Sequence, residues 1–356
     1  MDVMADHHEH RIDTLGDWPA DGLEAVPECP VCGSPDRDVL YEGLRDRVFF
    51  CASGEWTLHR CRSCGSAYLD PRPTPETIGL AYRSYFTHEA NPEYGSLSLG
   101  AKLRRTLANG YRNWRYGTHE QPASRLGIPA AFLIPNARAI ADATMRHLPK
   151  PKPGQRLLDL GCGSGAFLLR AQSAGWEVVG VDFDPKAVDV GRRQGLDVRL
   201  GGVEILDSEN EQFDVITMSH VIEHVHHPVG VLRACYRLLK PAGAVWIETP
   251  NFESEGHRLF GKDWLDLDPP RHLVLFSLGS MRDALGRSGF SNVEILPYRP
   301  LCTERFRAST AIAHGIDPYS KHARLVQPSA APKSAEHIAK REASRREFVM
   351  LIARKR

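Results

Sequence analysis

The chain has 356 residues, 42% of them hydrophobic and 25% charged, which excludes a disordered chain and allows two domains of ordinary size. Its 45 basic and 44 acidic residues nearly cancel, so no overall charge draws it to nucleic acid or to an anionic membrane. No stretch approaches the roughly 20 apolar residues of a bilayer span, and the N-terminus has no apolar segment typical of a secretory signal. The sequence therefore predicts a cytoplasmic protein without a membrane span.

Four of the eight cysteines form two matched C-x-x-C-G turns, Cys29/Cys32 and Cys61/Cys64. Paired thiols in a reducing compartment indicate metal binding rather than a disulfide, and a redox pair is the alternative. Four thiolates form a closed tetrahedral zinc site, which is structural because it leaves no open position. The sequence thus predicts a flexible leader over 1–28 and a four-cysteine zinc ribbon over 29–75.

A helical cap is predicted over 76–150, between a proline-rich joint at 70–75 and a Pro/Gly boundary at 150–154 that cannot continue a helix. Within it, the segment 102–116 carries five basic residues and no acid, interleaved with Tyr111, Trp114 and Tyr116. Three interpretations stay open for this segment: a helix that packs by its aromatic rings, a site for a phosphate-bearing acceptor, or an RNA-binding surface.

From residue 155 onward, short apolar strands alternate with helices. Strands are predicted at 156–160, 177–181, 196–200, 213–218 and 244–248, and helices at 166–174, 185–194 and 229–239. Repeated β–α units of this length predict an α/β fold with a parallel sheet and helices on both faces. Two closing strands at 292–296 and 348–353 bring the sheet to seven strands. A polar insertion at 300–346 separates them within a domain over 151–356.

The strongest chemical signal is the loop after the first of these strands, which reads LDLGCGSG. Its glycines, Gly161, Gly163 and Gly165, allow a tight turn and a close approach to a ligand. A bare glycine loop also matches dinucleotide binding. However, Asp159 precedes the first glycine by two positions and suits a cationic amino group better than a pyrophosphate. Asp182, at the end of the next strand, is spaced to hold ribose hydroxyls.

These blocks, together with VVGVDFDP, FDVITMSHVIEHV and LLKPAGAVWIETPN, resemble the class I S-adenosylmethionine-dependent methyltransferases, in particular the ubiquinone-biosynthesis-like group. The resemblance covers residues 155–250 and implies a Rossmann-like seven-stranded fold. Many relatives carry an aspartate where this chain has Gly202, so the adenine contact there is a backbone contact or is absent. The resemblance implies a cofactor site formed by Asp159, Gly161, Gly163, Gly165, Asp182, Phe183, Gly202, Val203, Ser219 and His220.

Acid–base residues cluster after the fourth predicted strand, in the segment SHVIEHV. If this segment is helical, His220, Glu223 and His224 share one face. Three roles stay open: they line the cofactor pocket, His220 acts as a general base, or all three bind a divalent metal. His272, in a segment that resembles one crossing the pocket mouth in the family, is a second candidate base or a structural histidine.

The acceptor is expected to be a small molecule methylated on oxygen or carbon, because the Asn/Asp-Pro-Pro-Tyr signature typical of enzymes that methylate base nitrogens does not follow the fourth strand. A ribbon before such a domain resembles both sugar C-methyltransferases and certain ribosomal-RNA methyltransferases. We therefore expect the acceptor to be a sugar or secondary-metabolite precursor. Acceptors that carry phosphate are among the candidates. The alternatives are an RNA-directed enzyme, which the neutral charge disfavours, and a non-catalytic cofactor-binding protein. The sequence gives no indication of the oligomeric state.

Overall fold

A computed structural model describes residues 18–83 and 98–356, and it confirms the predicted α/β fold with a seven-stranded sheet. The strands are β1 (Leu23–Glu24), β2 (Arg37–Leu44), β3 (Trp56–Cys61), β4 (Ala67–Leu69), β5 (Arg72–Pro73), β6 (Arg156–Leu160), β7 (Glu177–Asp182), β8 (Asp197–Leu200), β9 (Phe213–Ser219), β10 (Leu239–Pro250), β11 (Val274–Leu275), β12 (Ser291–Ile295) and β13 (Phe348–Arg354).

The helices follow where the sequence supplies caps and apolar faces. The α-helices are α1 (Leu99–Tyr116), α2 (Gly127–Leu133), α3 (Ala137–Thr144), α4 (Ala166–Ser173), α5 (Pro185–Arg193), α6 (Pro228–Leu238), α7 (Glu255–Phe260), α8 (Leu278–Arg287), α9 (Cys302–Ala313) and α10 (Pro332–Arg341). Asp184 accepts a hydrogen bond from the Lys186 amide ahead of Pro185, and Ser277 and Ser280 form a capping box. None of the helices in the described parts of the chain is long and apolar enough to cross a membrane.

The large sheet has the strand order β12-β13-β10-β9-β6-β7-β8. Strands β6 to β10 pair in parallel, whereas β13 runs antiparallel to both β10 and β12. The chain proceeds outward in one direction from β6 and in the other from β9, so β6 and β9 flank the topological switch point. Ligands of open α/β sheets bind at the carboxyl ends of the strands at such a point.

The ribbon is not a separate unit, which corrects the predicted boundary at residue 75. Its sheet has the order β11-β4-β3-β2, and β11 comes from the segment after β10. One continuous buried cluster contains Trp56 and Tyr68 of the ribbon together with Ile216 and Ile247 of the large sheet. The ribbon and the α/β domain therefore share one hydrophobic core.

The prediction of a flexible leader over 1–28 is wrong for residues 18–28, and residues 1–17 lie outside the described part. Strand β1 pairs antiparallel with β5. The ring of Trp18 packs edge-on against Trp56 with 5.3 Å between centroids, and Val26 is buried. Apolar residues that reach an available core pack there even where their local sequence shows no periodic pattern.

The insertion at 300–346 folds as helices α9 and α10 over the carboxyl edge of the sheet. The two helices bury Cys302, Phe306, Ala335 and Ala339 against each other, and Phe306 contacts Phe260 of α7 with 5.2 Å between ring centroids. The insertion therefore covers the part of the sheet edge that follows β10.

Candidate active site

The glycine loop links β6 to α4 and is held by the carboxylate that ends β7. Asp182 Oδ2 accepts a hydrogen bond from the Gly163 amide at 2.7 Å, and Asp182 Oδ1 accepts one from the Asp184 amide at 2.9 Å. Gly161 and Gly163 both have positive φ angles, +67° and +53°. A Cβ at Gly161 would lie 2.4 Å from Val221 Cγ2, whereas a Cβ at Gly163 would meet open space. The first glycine thus lets the Val221 segment approach, and the second opens toward a ligand.

Asp159 lies beneath this loop and is completely buried. Its Oδ1 accepts hydrogen bonds from Thr217 at 2.8 Å and from Arg146, while its Oδ2 has no hydrogen-bond partner within the described residues. Burial raises the pKa of Asp159 against the opposing effect of Arg146. Arg146 was missed by the sequence analysis, because no motif marks it.

Directly after β7, the exposed ring of Phe183 lies close to Gly202, which follows β8. Phe183 is 71% exposed, and its Cζ would lie 2.6 Å from a Cβ at Gly202. The Gly202 amide donates to Glu204 Oε1 at 2.7 Å. A Cβ at 202 would also lie 2.4 Å from Glu204 Oε2, so Glu204 and Phe183 would have to move, and the expected backbone contact to adenine has a competitor in Glu204. Val203 begins a short 3-10 turn, Val203–Leu206, and is partly buried.

His220 lies immediately after β9, between the carboxylates of Glu223 and Glu248. Its Nδ1 is 3.3 Å from Glu223 Oε1, its Nε2 is 3.4 Å from Glu248 Oε1, and its backbone has a φ of +54°. Burial alone would lower its pKa, but the hydrogen bonds to both carboxylates raise the pKa of His220 to about 9. A histidine that is protonated at neutral pH donates hydrogen bonds and does not accept a proton, which counts against the predicted role of His220 as general base.

The segment after β9 forms a 3-10 turn, Ile222–His224, and no α-helix, so the condition under which His220, Glu223 and His224 would share one helical face is not met. Instead, ligand atoms of Glu223, His224 and His272 lie within 4.8 Å of one another. His224 Nδ1 contacts Arg271 O at 2.9 Å and His272 Nδ1 contacts Asp266 O at 2.8 Å. With Nδ1 on a carbonyl, Nε2 of each imidazole carries the lone pair, and His272 Nε2 lies 4.0 Å from Asp268 Oδ2.

In the Glu223–His224–His272 cluster, Glu223 and His272 are buried and His224 is partly buried, and the three carry lone pairs suited to a proton or a divalent metal. Glu223 Oε2 accepts a hydrogen bond from Thr249 at 2.9 Å. Glu223 Oε1 is buried, and within the described residues it has the 3.3 Å ion-pair contact with His220 but no well-aligned hydrogen bond. Burial lowers the pKa of His224 to about 4, with His272 adding to this effect. His224 is therefore neutral at pH 7.

A buried arginine that the sequence analysis did not consider positions His272. Arg271 is completely buried, and it forms ion pairs with Asp46 of the ribbon and with Asp268. Next to it, the Leu273 amide donates to Glu223 O at 2.8 Å, while Leu273 O accepts from the Leu69 amide at 3.1 Å. Backbone hydrogen bonds thus connect the ribbon directly to the acid–base turn.

The edge of the site near β10 and β13 carries further charge. Arg299 contacts Glu248 at 3.0 Å, and Arg305 of α9 pairs with Asp266. Phe348 lies 4.7 Å from the His220 ring between centroids. Ser219, predicted near the sulfonium, ends β9 opposite Glu248 in the parallel register. The insertion therefore supplies positive charge to the same edge as His220.

The four paired cysteines converge as the sequence predicts. The Sγ atoms of Cys29 and Cys64 are 3.6 Å apart, and those of Cys32 and Cys61 are 3.5 Å apart. These distances match a tetrahedron of thiolates about 2.3 Å from a zinc ion, and are far longer than a disulfide bond. All four thiols are free, so they could hold a metal ion.

In the basic helix α1, several of the aromatic and basic side chains that were candidates for phosphate binding are buried against the rest of the protein. Tyr111 and Tyr116 are buried and both donate to Asp142, at 2.9 and 2.6 Å. Arg112 is buried in an ion pair with Glu120. These three side chains pack within the protein, in agreement with the first of the three interpretations left open for this segment.

Residues 133–295 match a family model described as a methyltransferase domain. Two similar curated proteins are ubiquinone biosynthesis O-methyltransferases. That of Xanthomonas oryzae pv. oryzae is 39% identical over 105 residues, which cover 28% of this chain and 44% of the relative. That of Bordetella pertussis is 40% identical over 105 residues, with the same two coverages. The match thus spans less than half the length of these curated relatives.

Two of the solved structures that resemble the chain are named as S-adenosylmethionine-dependent methyltransferases. One from Archaeoglobus fulgidus is 23% identical, with a TM-score of 0.44 and coverage of 61% of this chain and 94% of that one. One from Mesorhizobium loti is 21% identical, with a TM-score of 0.41 and coverage of 61% and 98%.

Proposed function

We propose that the chain transfers a methyl group from S-adenosylmethionine to a hydroxyl oxygen of a small acceptor, and the match of residues 133–295 to a methyltransferase domain supports this. One observation carries the proposal: the glycine loop contacts the acid–base turn directly, since Gly161 and Val221 approach too closely for a side chain at 161. A cofactor in the loop would therefore present its reactive end to the Glu223–His224–His272 cluster.

The residues present fit this cofactor. Asp159 Oδ2 is a buried acceptor without a partner in the described residues, as an ammonium group requires, and the space above Gly163 is open. Asp182 would hold the ribose, and the exposed Phe183 ring would cover the adenine. S-adenosylmethionine supplies an electrophilic methyl group on a sulfonium.

The histidines of the cluster supply the acceptor for the hydroxyl proton. With the cofactor bound, methyl transfer to a hydroxyl would release the hydroxyl proton, so the site has to offer a proton acceptor. We assign that proton to His272 Nε2, since Nδ1 is occupied by the Asp266 carbonyl. His220, held as a cation by Glu223 and Glu248, would orient the acceptor by donating a hydrogen bond.

Oxygen as the attacked atom is supported by the names of the most similar curated proteins, which are O-methyltransferases. Those names give no support to a sugar or secondary-metabolite acceptor. A divalent metal at the Glu223–His224–His272 cluster is the alternative to a free base. Dialysis against EDTA separates the two: activity lost and then restored by Mg²⁺ or Mn²⁺ indicates the metal.

The four clustered thiols are proposed to hold one structural zinc ion per chain, away from the chemistry. Elemental analysis of the purified protein should give one zinc per chain. Cys61→Ser should lower both the zinc content and the melting temperature. A full complement of zinc in that variant would contradict the assignment.

The central experiment is a transfer assay with methyl-labelled cofactor against phenols, hydroxylated metabolites and RNA, together with calorimetric titration by adenosylhomocysteine. We expect label on a hydroxylated small molecule, and loss of at least about 100-fold in rate for His272→Ala with cofactor affinity unchanged. Binding without transfer to any acceptor would indicate a non-catalytic protein. Tight binding of NADH with no heat from adenosylhomocysteine would refute the proposal.

A further inference from the structure

The outer face of helices α1, α2 and α3 exposes a large share of the apolar side chains at the protein surface. Within the described residues, eight of the fifteen exposed large hydrophobic side chains lie in 98–141. They are Leu99, Leu103, Trp114, Leu126, Phe132, Leu133, Ile134 and Ile140. We propose that this face, the cap surface, binds the surface of a bilayer that contains anionic phospholipid.

The inner face of the same three helices is packed against the rest of the protein. The backbones of α1 and α2 touch, because a Cβ at Gly127 would lie 1.8 Å from Leu107 O. One buried cluster contains Tyr111, Ala131 and Ala141 of the three helices together with residues of α4 and of the large sheet. The cap surface is therefore the outer side of a fixed layer, and its exposed side chains are not needed to hold that layer in place.

The connection between α2 and α3 is the most protruding part of the cap surface. Residues 132–136 are all exposed, and Leu133 is 80% exposed. Trp114 lies near this tip, because Trp114 and Phe132 both contact the Tyr111 ring, with 5.9 and 6.2 Å between centroids. Aliphatic side chains that protrude beside aromatic rings are typical of segments that insert into the interface of a membrane.

The charge of this region is positive, although the charges of the whole chain nearly cancel. Residues 98–141 contain seven lysine and arginine residues and a single acidic residue, Glu120. Glu120 is paired with the buried Arg112 and with Arg170 of α4. The basic residues that are exposed in this region are Arg104, Arg105, Arg115, Arg125 and Arg138. An anionic lipid surface attracts arginines that lie close to it, and their methylene groups cover apolar surface while the guanidinium stays at the phosphates.

An arginine also lies directly at the tip. The guanidinium carbon of Arg138 is 5.3 Å from the centroid of the Phe132 ring. Apolar and basic groups therefore share one surface, which matches the apolar interior and the anionic headgroups of a bilayer. Aliphatic side chains do not stack on bases, which disfavours RNA. Two cap surfaces face to face would bring like charges together, which disfavours a second copy.

Co-sedimentation of the full chain with large unilamellar vesicles tests the proposal. Vesicles of phosphatidylcholine alone are compared with vesicles in which about one third of the lipid is phosphatidylglycerol. We expect the affinity for the anionic vesicles to exceed that for the neutral vesicles by about tenfold or more. Binding to the anionic vesicles should weaken as the salt concentration is raised, because salt screens the attraction between arginines and headgroups.

Two variants separate the apolar and the charged contributions. Leu133→Ser should lower the affinity for anionic vesicles by about tenfold. The double variant Arg115→Gln, Arg125→Gln should lower it to about the same extent and should reduce its salt dependence. The matched controls are Leu325→Ser, at a leucine that is 78% exposed outside the cap surface, and Arg282→Gln on α8. Both controls should bind as wild type, and all of these side chains are exposed, so the variants should fold.

Trp114 shows which face of the protein meets the lipid. It is 55% exposed, whereas the other five tryptophans are buried or partly buried. Brominated phosphatidylcholine in the anionic vesicles should quench the tryptophan emission of wild type and should leave the emission of Trp114→Phe largely unchanged. Equal quenching of both proteins would place another face on the membrane and would overturn the proposal.

Absence of binding to anionic vesicles at millimolar lipid, or equal affinity of Leu133→Ser and wild type, also overturns the proposal. A protein that ignores vesicles and forms a dimer, which Leu133→Ser converts to a monomer, would make the cap surface an interface between copies. A protein that ignores vesicles and binds single-stranded RNA through Arg115 and Arg125 would make it a nucleic-acid site. Either result replaces the membrane as the occupant.

Discussion

The two halves of the site are built in different ways. The cofactor half uses a single contiguous stretch, in which the loop after β6 is closed by Asp182 at the end of β7. The ion pair Arg146–Asp159 is buried beneath it. The acceptor half is assembled from the ribbon, the turn after β9, the segment 266–276 and the insertion. It buries Arg271 with two aspartates and places His220 between two glutamates.

This difference indicates where each kind of variation should act. Apart from the buried Arg146–Asp159 pair, local backbone geometry makes the proposed cofactor half, so a side-chain change on the loop should alter binding more than stability. Buried charges make the acceptor half, and breaking one leaves its partner uncompensated in the core. Changes there should therefore act first on folding.

The largest effect is expected for Arg271→Met, which leaves Asp46 and Asp268 buried without their cation. The free energy of unfolding should fall by about 3–5 kcal/mol, measured by urea denaturation. The control Arg282→Met, on the exposed face of α8, should change it by less than about 0.5 kcal/mol. Equal stability of Arg271→Met and wild type would mean that the ribbon and the acceptor half do not fold as one unit.

The next largest effect is expected for Asp182→Ala. Losing the carboxylate that holds the loop, and that we propose to hold the ribose, should weaken adenosylhomocysteine binding by about 30-fold in calorimetry, through lost charge-assisted hydrogen bonds. The control is Asp197→Ala, an exposed aspartate at the start of β8. If Asp182→Ala lowers the melting temperature strongly and leaves the adenosylhomocysteine affinity unchanged, the loop acts on stability rather than on binding, contrary to what we expect of this half.

Glu347 tests the acceptor half through pH. Burial raises the pKa of this carboxyl to about 8. A carboxyl whose pKa is raised on folding stabilises the protein fully below its unfolded pKa, near about 4.3, and this contribution is lost as pH rises through about 8. Glu347→Gln should therefore melt about 2–4 °C above wild type at pH 8.5 and close to it at pH 5. The control Glu342→Gln, at an exposed glutamate, should have the melting temperature of wild type at both pH values. If the melting temperature of Glu347→Gln differs from that of wild type by the same amount at pH 5 and pH 8.5, the difference does not come from titration of Glu347.

The smallest effect is expected for Trp18→Ala. Loss of the edge-on contact with Trp56 should cost about 1 kcal/mol of unfolding free energy. Trp114→Ala, a largely exposed tryptophan on α1, is the comparison. If both variants are as stable as wild type, residues 18–28 do not belong to the shared core.

Much of the fold could be predicted because its signals are local. The strand Arg156–Leu160 matches its prediction at both ends, and the helix after Asp184 begins at the predicted Pro185. The glycine loop was recognisable from positions that are adjacent in sequence. The two cysteine pairs were equally readable, since each turn is five residues long.

The acceptor half was less predictable because its partners are distant in sequence. Arg271 meets Asp46 across 225 positions, and no periodicity marks such a pair. The histidine grouping was misassigned for a related reason. A left-handed backbone at His220 turns its ring toward Glu248, and His272 takes the place beside Glu223 and His224.

By itself, the sequence determined the class of fold, the carboxylate-led glycine loop and the thiol pairs, since each depends on residues within one turn or one β–α unit. The tertiary structure alone decided which histidine is cationic, which ones keep a free nitrogen, and that the ribbon shares the core of the α/β domain. Those outcomes depend on burial and on charges brought together from separate segments, and a one-dimensional pattern does not record them.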